Sequence, residues 1–375
     1  MMFDAPRIGV LESGPRDSIA DVSEVTVGHL TLARGPVQTG VTVIRPHAGD
    51  LYREPLPAAS VVVNGFGKTI GLVQLDELGT LESPIALTNT FAVGTIATAM
   101  IRHAVATNPS IGRRSPTLNP VVAECNDGWL NDLQAFAIEE RHYALAFDAA
   151  TADFAQGGVG AGRGMSCFEL KGGIGSASRA ASAAGARHVV GALVLANFGR
   201  LAQLTLDGVA LGSLLADSTH ASRSAPAAAT ANASGGGQGS IIVVLASDAP
   251  LEHRQLRRLG LRAAAGIART GSNFGHGSGD IVIAFSTAQP LVRATSVTVA
   301  TRRTMADDAL DPLFDAAAEA TEQAIVNALF AAETVEGRAG HIRKSIAARL
   351  PDWRAHLGGA GRTRCVTASD PKPGA

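Results

Sequence analysis

Between Ala216 and Gly239 the chain is mostly Ala, Ser, Gly, Thr and Asn, and at Ser240 it passes abruptly into Ile241-Ile242-Val243-Val244-Leu245-Ala246. The first stretch has almost no large apolar side chain to offset its own ordering entropy, so it reads as a mobile linker, 216–239. The second is a fully apolar run of strand length. A rigid strand therefore starts with a serine directly behind a flexible, glycine-rich leader. In that setting the Ser240 hydroxyl can add to the Gly239 carbonyl, giving an ester that water then cleaves. Gly239 has no Cβ, which lowers the barrier to the strained backbone such a shift needs. The cut would leave Ser240 with a free α-amine, whose reference pKa near 7.7–8.0 suits a general base. One residue then supplies nucleophile and base. Many strands begin Gly-Ser after a loop, so the pattern alone leaves the ordinary loop-to-strand reading open.

The remaining pattern is mixed α and β. Val25–Val27, Gly40–Ile44 and Ser60–Val63 are β-branched runs separated by Gly and Pro. Segments 84–103 and 129–143 read as helical or mixed, 188–195 as a buried strand and 202–211 as another. After the junction come a helix over 251–270, strands over 280–285 and 296–300, and a long helix from about 307 to 332, with a frayed end from Val366. Helices laid outside sheets are the simplest packing of such elements, and no solenoid repeat is present.

Composition excludes several functions. The 32 Lys+Arg against 33 Asp+Glu give a net charge of −1, and the basic residues are scattered, which argues against nucleic-acid or membrane-surface binding. Only 2 Trp and 2 Tyr are present, too few for stacking platforms. No apolar run is long enough to span a bilayer, and no signal peptide is visible. Cys125, Cys167 and Cys365 are odd in number and unpaired in spacing, which fits a reduced, cytoplasmic protein.

Several tempting motifs fail on spacing. Gly67-Lys68-Thr69 lacks the earlier glycine of a phosphate loop, since that position is Val62. The Gly158–Gly164 run places Arg163 or Met165 where a dinucleotide fingerprint needs its third glycine. The ten histidines include no HExxH and no metal-type pair. His276, Ser278 and Asp280 alternate like a triad, but strand neighbours run in parallel, about 6–7 Å apart, rather than converging.

The chain resembles the self-processing aminopeptidases of the L-aminopeptidase/D-esterase (DmpA) and β-peptidyl aminopeptidase family. The matching segments are Thr39–Val43, Asn64-Gly65, Thr88–Thr90 with Val93-Gly94, Glu124–Gly128, Gly160–Gly162, Lys171–Gly175, Ala196–Gly199, Gly239–Ile242 and Gly277–Ile281 with Ala284–Ser286. They run in order over nearly the whole chain.

This resemblance implies one α+β domain over 1–375, a four-layer αββα sandwich layered like N-terminal-nucleophile hydrolases but differently connected. The chain would cut itself between Gly239 and Ser240 into 1–239 and 240–375, need no cofactor or metal, and assemble as a homotetramer of the paired chains. Its substrates would be small peptides, amides or esters with a free N-terminus. Residue by residue, Ser240 would be the nucleophile, with Ser278 and Asp280 positioning and polarising its amine. The i, i+2 spacing of that pair puts both on one face of a strand. Asn197 would be the oxyanion donor, and Glu124 would hold the substrate ammonium. Taken alone, Asp280 reads as a turn cap, Asn197 as a strand cap and Glu124 as a surface or ion-paired residue. The chain departs from the family pattern at Asp280, where some relatives carry Glu, at Cys125, and at Gly67-Lys68. These neighbours, with Asn126 and Trp129, should set substrate choice, and Cys125 itself reads as structural.

Two other classes compete. An acyltransferase of the ornithine acetyltransferase type also self-cleaves, but at threonine where this chain has Ser240. A non-enzymatic oligomeric scaffold would not need Asn197, Ser240, Ser278 and Asp280 together.

Overall fold

The computed structural model describes residues 3–220, 239–291 and 301–357. In chain order the main elements are β1 (Thr26–Arg34), β2 (Val37–Arg45), β3 (Leu56–Gly65), α1 (Leu72–Leu78), β4 (Thr80–Leu81), β5 (Ile85–Asn89), α2 (Val93–Thr107), β6 (Val121–Cys125) and α3 (Arg141–Asp148). There follow β7 (Ser166–Cys167), β8 (Leu170–Lys171), β9 (Gly173–Ala183), β10 (Ala186–Asn197), α4 (Leu211–His220), β11 (Ser240–Ser247), α5 (His253–Arg269), β12 (Gly279–Ser286) and α6 (Asp311–Phe330).

The strands form two mixed sheets, ordered β1-β2-β5-β6 and β4-β3-β12-β11-β10-β9. β11 lies near the centre of the larger sheet, antiparallel to β10 and parallel to β12. Side chains alternate across a strand, and in β11 both faces meet a core. Ile241, Val243 and Leu245 pack with Leu256, Leu259 and Ile267 of α5 and Leu313, Ala320 and Ala324 of α6. Ile242, Val244 and Ala246 pack with Ile44, Ile85, Leu87, Val121 and Ala123 of the smaller sheet. Two cores on one strand explain the unbroken apolar run, since each buried Ile, Val or Leu is worth ~1.5–3 kcal/mol. On its other face the smaller sheet meets Ile96 and Met100 of α2 and Tyr143 and Ala146 of α3 through Val41, Val43, Ala86 and Val122.

Two expected elements differ. Segment 202–211 is not a strand: Leu206 and Val209 bridge across a turn at Asp207-Gly208, both with positive φ, before α4 begins. Its alternating Leu204 and Leu206 are buried, imitating strand periodicity, but the Asp-Gly turn folds the chain back. Segment 129–143 is mostly irregular; Asp132 caps a short 3-10 turn over Leu133–Ala135, Phe136 adopts φ 45°, and the helix starts only at Arg141. The linker expectation is shortened too, because α4 extends to His220, while residues 221–238 lie outside the described residues. The strand expected over 296–300 and the end beyond 357 lie outside them as well.

Candidate active site

Ser240 is the first residue of β11, directly opposite Asn197, the last residue of β10. Just before it, a Cβ on Gly239 would stand 2.0 Å from the Asn197 carbonyl oxygen. Glycine is required there because the strand end of β10 runs that close, a constraint the sequence does not display. The Ser240 hydroxyl oxygen accepts a hydrogen bond from the Gly279 N–H at 3.0 Å. Gly279 is glycine for a similar reason: an added Cβ would lie 2.6 Å from the Phe66 carbonyl oxygen and 3.1 Å from Ser240 Oγ.

Gly279 opens β12, and the pair on either side of it is joined. Ser278 donates its hydroxyl to Asp280 Oδ1 at 2.6 Å, while Asp280 Oδ2 has no hydrogen-bond partner among the described residues. Burial pushes the Asp280 carboxyl up to about 6, with the Ser278 hydroxyl and the Ile241 N–H pulling the other way. The register with β3 slips at this point, from Asp280↔Asn64 to Ile281↔Val62, leaving Val63 without an opposite residue. Such a bulge re-aims side chains beside a site. The Asn64 amide donates to the Gly275 and Ser278 carbonyls, and the Phe66 N–H donates to Ser278 O at 3.2 Å, fixing the turn that carries Ser278. The His276 ring lies 6.3 Å from that of Phe66 and has no hydrogen-bond partner among the described residues, so the alternating residues do not form a triad.

On the other side of Ser240, Asn197 has both ends of its amide engaged. Oδ1 accepts from the Ser166 N–H at 2.8 Å, and Nδ2 donates to the Asn126 carbonyl at 3.0 Å, leaving one Nδ2 proton uncommitted. Ser166 pairs with Lys171 in the hairpin β7–β8. Lys171 is fully buried, and its ammonium donates to the carbonyls of Gly162 (2.9 Å), Met165 (3.0 Å) and Gly172 (2.6 Å). Three protons thus meet three carbonyls around the hairpin that orients Asn197. Burial, with Arg163 nearby, pulls this ammonium down to about 7, and its carbonyl cage opposes the loss of a proton.

Glu124 is the penultimate residue of β6, just before Cys125, and is buried. Oε1 accepts the Lys68 N–H at 2.9 Å and Oε2 accepts the Thr90 hydroxyl. The turn 65–68 therefore reaches from Ser278 to Glu124, and Gly67 lies within it, near Glu124 Oε1 and Ile281. Cys125 points inward, its thiol donating to the Ser240 carbonyl at 3.3 Å. Burial and the charges of Glu124 and Asp280 push that thiol well above its ordinary range, so it is a packing group and not a nucleophile. Next to it, fully buried Asp127 accepts from the Asn131 amide through Oδ1 while Oδ2 has no partner among the described residues, and burial raises it to about 7.

The five residues Asn197, Ser240, Ser278, Asp280 and Glu124 thus come from four strand ends gathered at one edge of the two sheets. Residues not foreseen in a functional sense are Gly279, through its N–H, and Ser166, Lys171, Asn64 and Thr90. Asn64, Thr90, Lys171 and Gly279 fall within the family-matching segments and Ser166 does not, but the contacts of all five are made across the fold and no segment displays them. Among the described residues no group of three or more His, Cys, Asp or Glu side chains could hold a metal ion. No helix among them is long and apolar enough to cross a membrane.

The model of peptidase family S58 matches residues 17–343. A β-peptidyl aminopeptidase, BapA, from Sphingosinicella microcystinivorans is 40% identical over 340 residues, covering 88% of this chain and 85% of the relative. The PH0078 protein of Pyrococcus horikoshii shares the fold with a TM-score of 0.87 and 43% identity, covering 95% of this chain and 98% of its own. The L-aminopeptidase D-Ala-esterase/amidase of Ochrobactrum anthropi, described as a variant among the Ntn-hydrolase fold, matches with a TM-score of 0.83 and 34% identity over 96% of this chain and 98% of that one.

Proposed function

The chain belongs to peptidase family S58, and on that footing we propose how its own residues perform the work of an N-terminal serine aminopeptidase. The observation that carries the reading is Ser240 itself: a strand-opening hydroxyl held by the Gly279 N–H and standing opposite Asn197.

Activation comes first. Ser240 Oγ adds to the Gly239 carbonyl carbon, the C–N bond breaks as the Ser240 nitrogen takes the proton, and an ester remains. Water hydrolyses that ester, leaving a Gly239 carboxylate and a Ser240 α-amine. The pieces 1–239 and 240–375 stay together in one domain, since β11 is paired with β10 and β12 with β3. We read the three cores as the fillings of a four-layer αββα sandwich, with α2 and α3 outside one sheet and α5 and α6 outside the other.

Turnover uses the same groups. The Glu124 carboxylate pairs with the substrate's N-terminal ammonium, which makes an unblocked end a requirement. Ser240 Oγ attacks the first carbonyl while the α-amine takes its proton, and the remaining Nδ2 proton of Asn197 meets the oxyanion. The amine then delivers its proton to the leaving group, and water releases the acyl residue by the reverse use of the same base. Ser278 and Asp280 position that amine, the open Oδ2 atom being the place an added donor fits. Substrates are small peptides, amides or esters, and the working assembly is a tetramer of paired chains in the cytoplasm. The acyltransferase alternative finds no support among the relatives.

N-terminal sequencing of denatured protein tests this directly: a second chain beginning at Ser240 is expected. Ser240→Ala should remain a single chain and lose aminoacyl p-nitroanilide hydrolysis by about 10⁴-fold or more. An intact wild-type chain that still hydrolyses these substrates defeats the scheme.

A further inference from the structure

A cavity of about 350 Å³ lies away from Ser240. It opens where Ser83 and Pro84 enter β5, whereas Thr90, the partner of Glu124, follows the other end of that strand. Five strand residues separate the two places by on the order of 15 Å.

Its wall is organised around Phe147. The Arg45 guanidinium lies 4.3 Å from the centre of that ring, and the His103 and Tyr143 rings lie 4.6 and 5.9 Å from it. These three polar side chains are largely unspent. Arg45 forms no ion pair among the described residues and makes one long hydrogen bond, 3.5 Å, to the Ala48 carbonyl. Neither nitrogen of His103 is hydrogen-bonded among them. Tyr143 is only 1% exposed, yet its hydroxyl has no hydrogen-bond partner there. Lining the cavity, that hydroxyl is free to donate to a bound acceptor. Around these donors the wall is apolar, with Leu51, Met100 and Phe147.

We propose that this cavity is a second ligand site, for a small monocarboxylate with an aromatic or apolar body. A guanidinium fork matches a carboxylate geometrically, and the Arg45 fork rests over the Phe147 ring. Asp50 and Glu82 also line the cavity. Asp50 is engaged by the Asn108 amide, Glu82 by the Gln74 amide and the Asn119 N–H. Their charges nonetheless disfavour a dianion such as phosphate and leave a single negative charge as the better fit. The volume suits a ligand of amino-acid to dipeptide size.

Titration calorimetry of the full chain with N-acetyl-phenylalanine tests the site, because its blocked amine cannot pair with Glu124. One-to-one binding at about millimolar affinity or tighter is expected, weakened about tenfold or more by Arg45→Ala and several-fold by Tyr143→Phe, and unchanged in Glu124→Gln. The neutral N-acetyl-phenylalanine amide, measured on the unaltered protein, should bind about tenfold more weakly whatever the variants do. No binding, equal binding of acid and amide, equal binding by Arg45→Ala, or loss of binding in Glu124→Gln each overturns the proposal.

Discussion

The two flanks of Ser240 are built on opposite terms. On the β10 flank nearly every polar atom is committed: the Asn197 amide is held at both ends, and the hairpin that holds it is gathered around the Lys171 ammonium. On the β12 flank a buried carboxylate oxygen, Asp280 Oδ2, has no partner among the described residues, and burial pushes the group up to about 6. The contrast matches two tasks. A donor that stabilises developing charge acts best when its direction is set beforehand. A group that must accept or share a proton needs an atom not already bonded and an affinity near the working pH.

If the committed flank serves charge stabilisation, Asn197→Ala should lower kcat of the processed enzyme by about 10²- to 10³-fold, with KM nearly unchanged. Equal losses in kcat and 1/KM would instead make Asn197 a substrate-binding group. The next effect concerns the hairpin. Lys171→Met leaves three buried carbonyls without a donor, and denaturant unfolding should show a loss of about 3 kcal/mol or more. Because Lys171 acts on the site only through Asn197, its further effect on kcat should vanish in an Asn197→Ala background; full additivity would separate the hairpin from the oxyanion donor.

The open flank predicts a pH dependence. If the Asp280 carboxylate also takes the Ser240 hydroxyl proton during self-cleavage, the uncut chain should cut itself about tenfold more slowly per pH unit below about pH 6, and Asp280→Asn should flatten the profile. A flat wild-type profile from pH 7 to 5 would remove Asp280 from the step. Stability moves in the other sense. A carboxyl raised on folding binds its proton more tightly than the unfolded chain does, so its stabilising contribution is complete below about pH 4 and is lost as pH rises through 6. The same sign applies to Asp127, raised to about 7, whose Oδ2 atom has no hydrogen-bond partner among the described residues. Asp127→Asn should therefore raise thermal stability by about 2–3 kcal/mol more at pH 8 than at pH 5, and leave it nearly unchanged only near pH 3.

Much of this was legible residue by residue. The apolar run after Ser240 announced a doubly buried strand, and the pieces on either side of it were correctly read as alternating strands and helices over most of the chain. The misreading at 202–211 came from weighting the alternation of Leu204 and Leu206 above the Asp207-Gly208 turn between the same residues and Val209. At 129–143 no periodicity exists to be read, because the segment is held by side-chain caps and by contacts to distant loops. The candidate site residues were named through family likeness; the chemistry of Glu124, Asn197 or Asp280 taken singly is that of any cap or surface group.

Local information determined where rigid chain begins, which peptide bond meets a hydroxyl, and which residues alternate between two cores, because each depends only on neighbours along the chain. The tertiary structure alone decided that Gly239 must be glycine, that Gly279 offers its N–H to Ser240, and that a lysine 69 residues before the serine steadies its opposite asparagine. Those facts are distances between strands brought together from far apart. A hydrogen bond or an unpaired oxygen is a property of such meetings, and no single segment carries it.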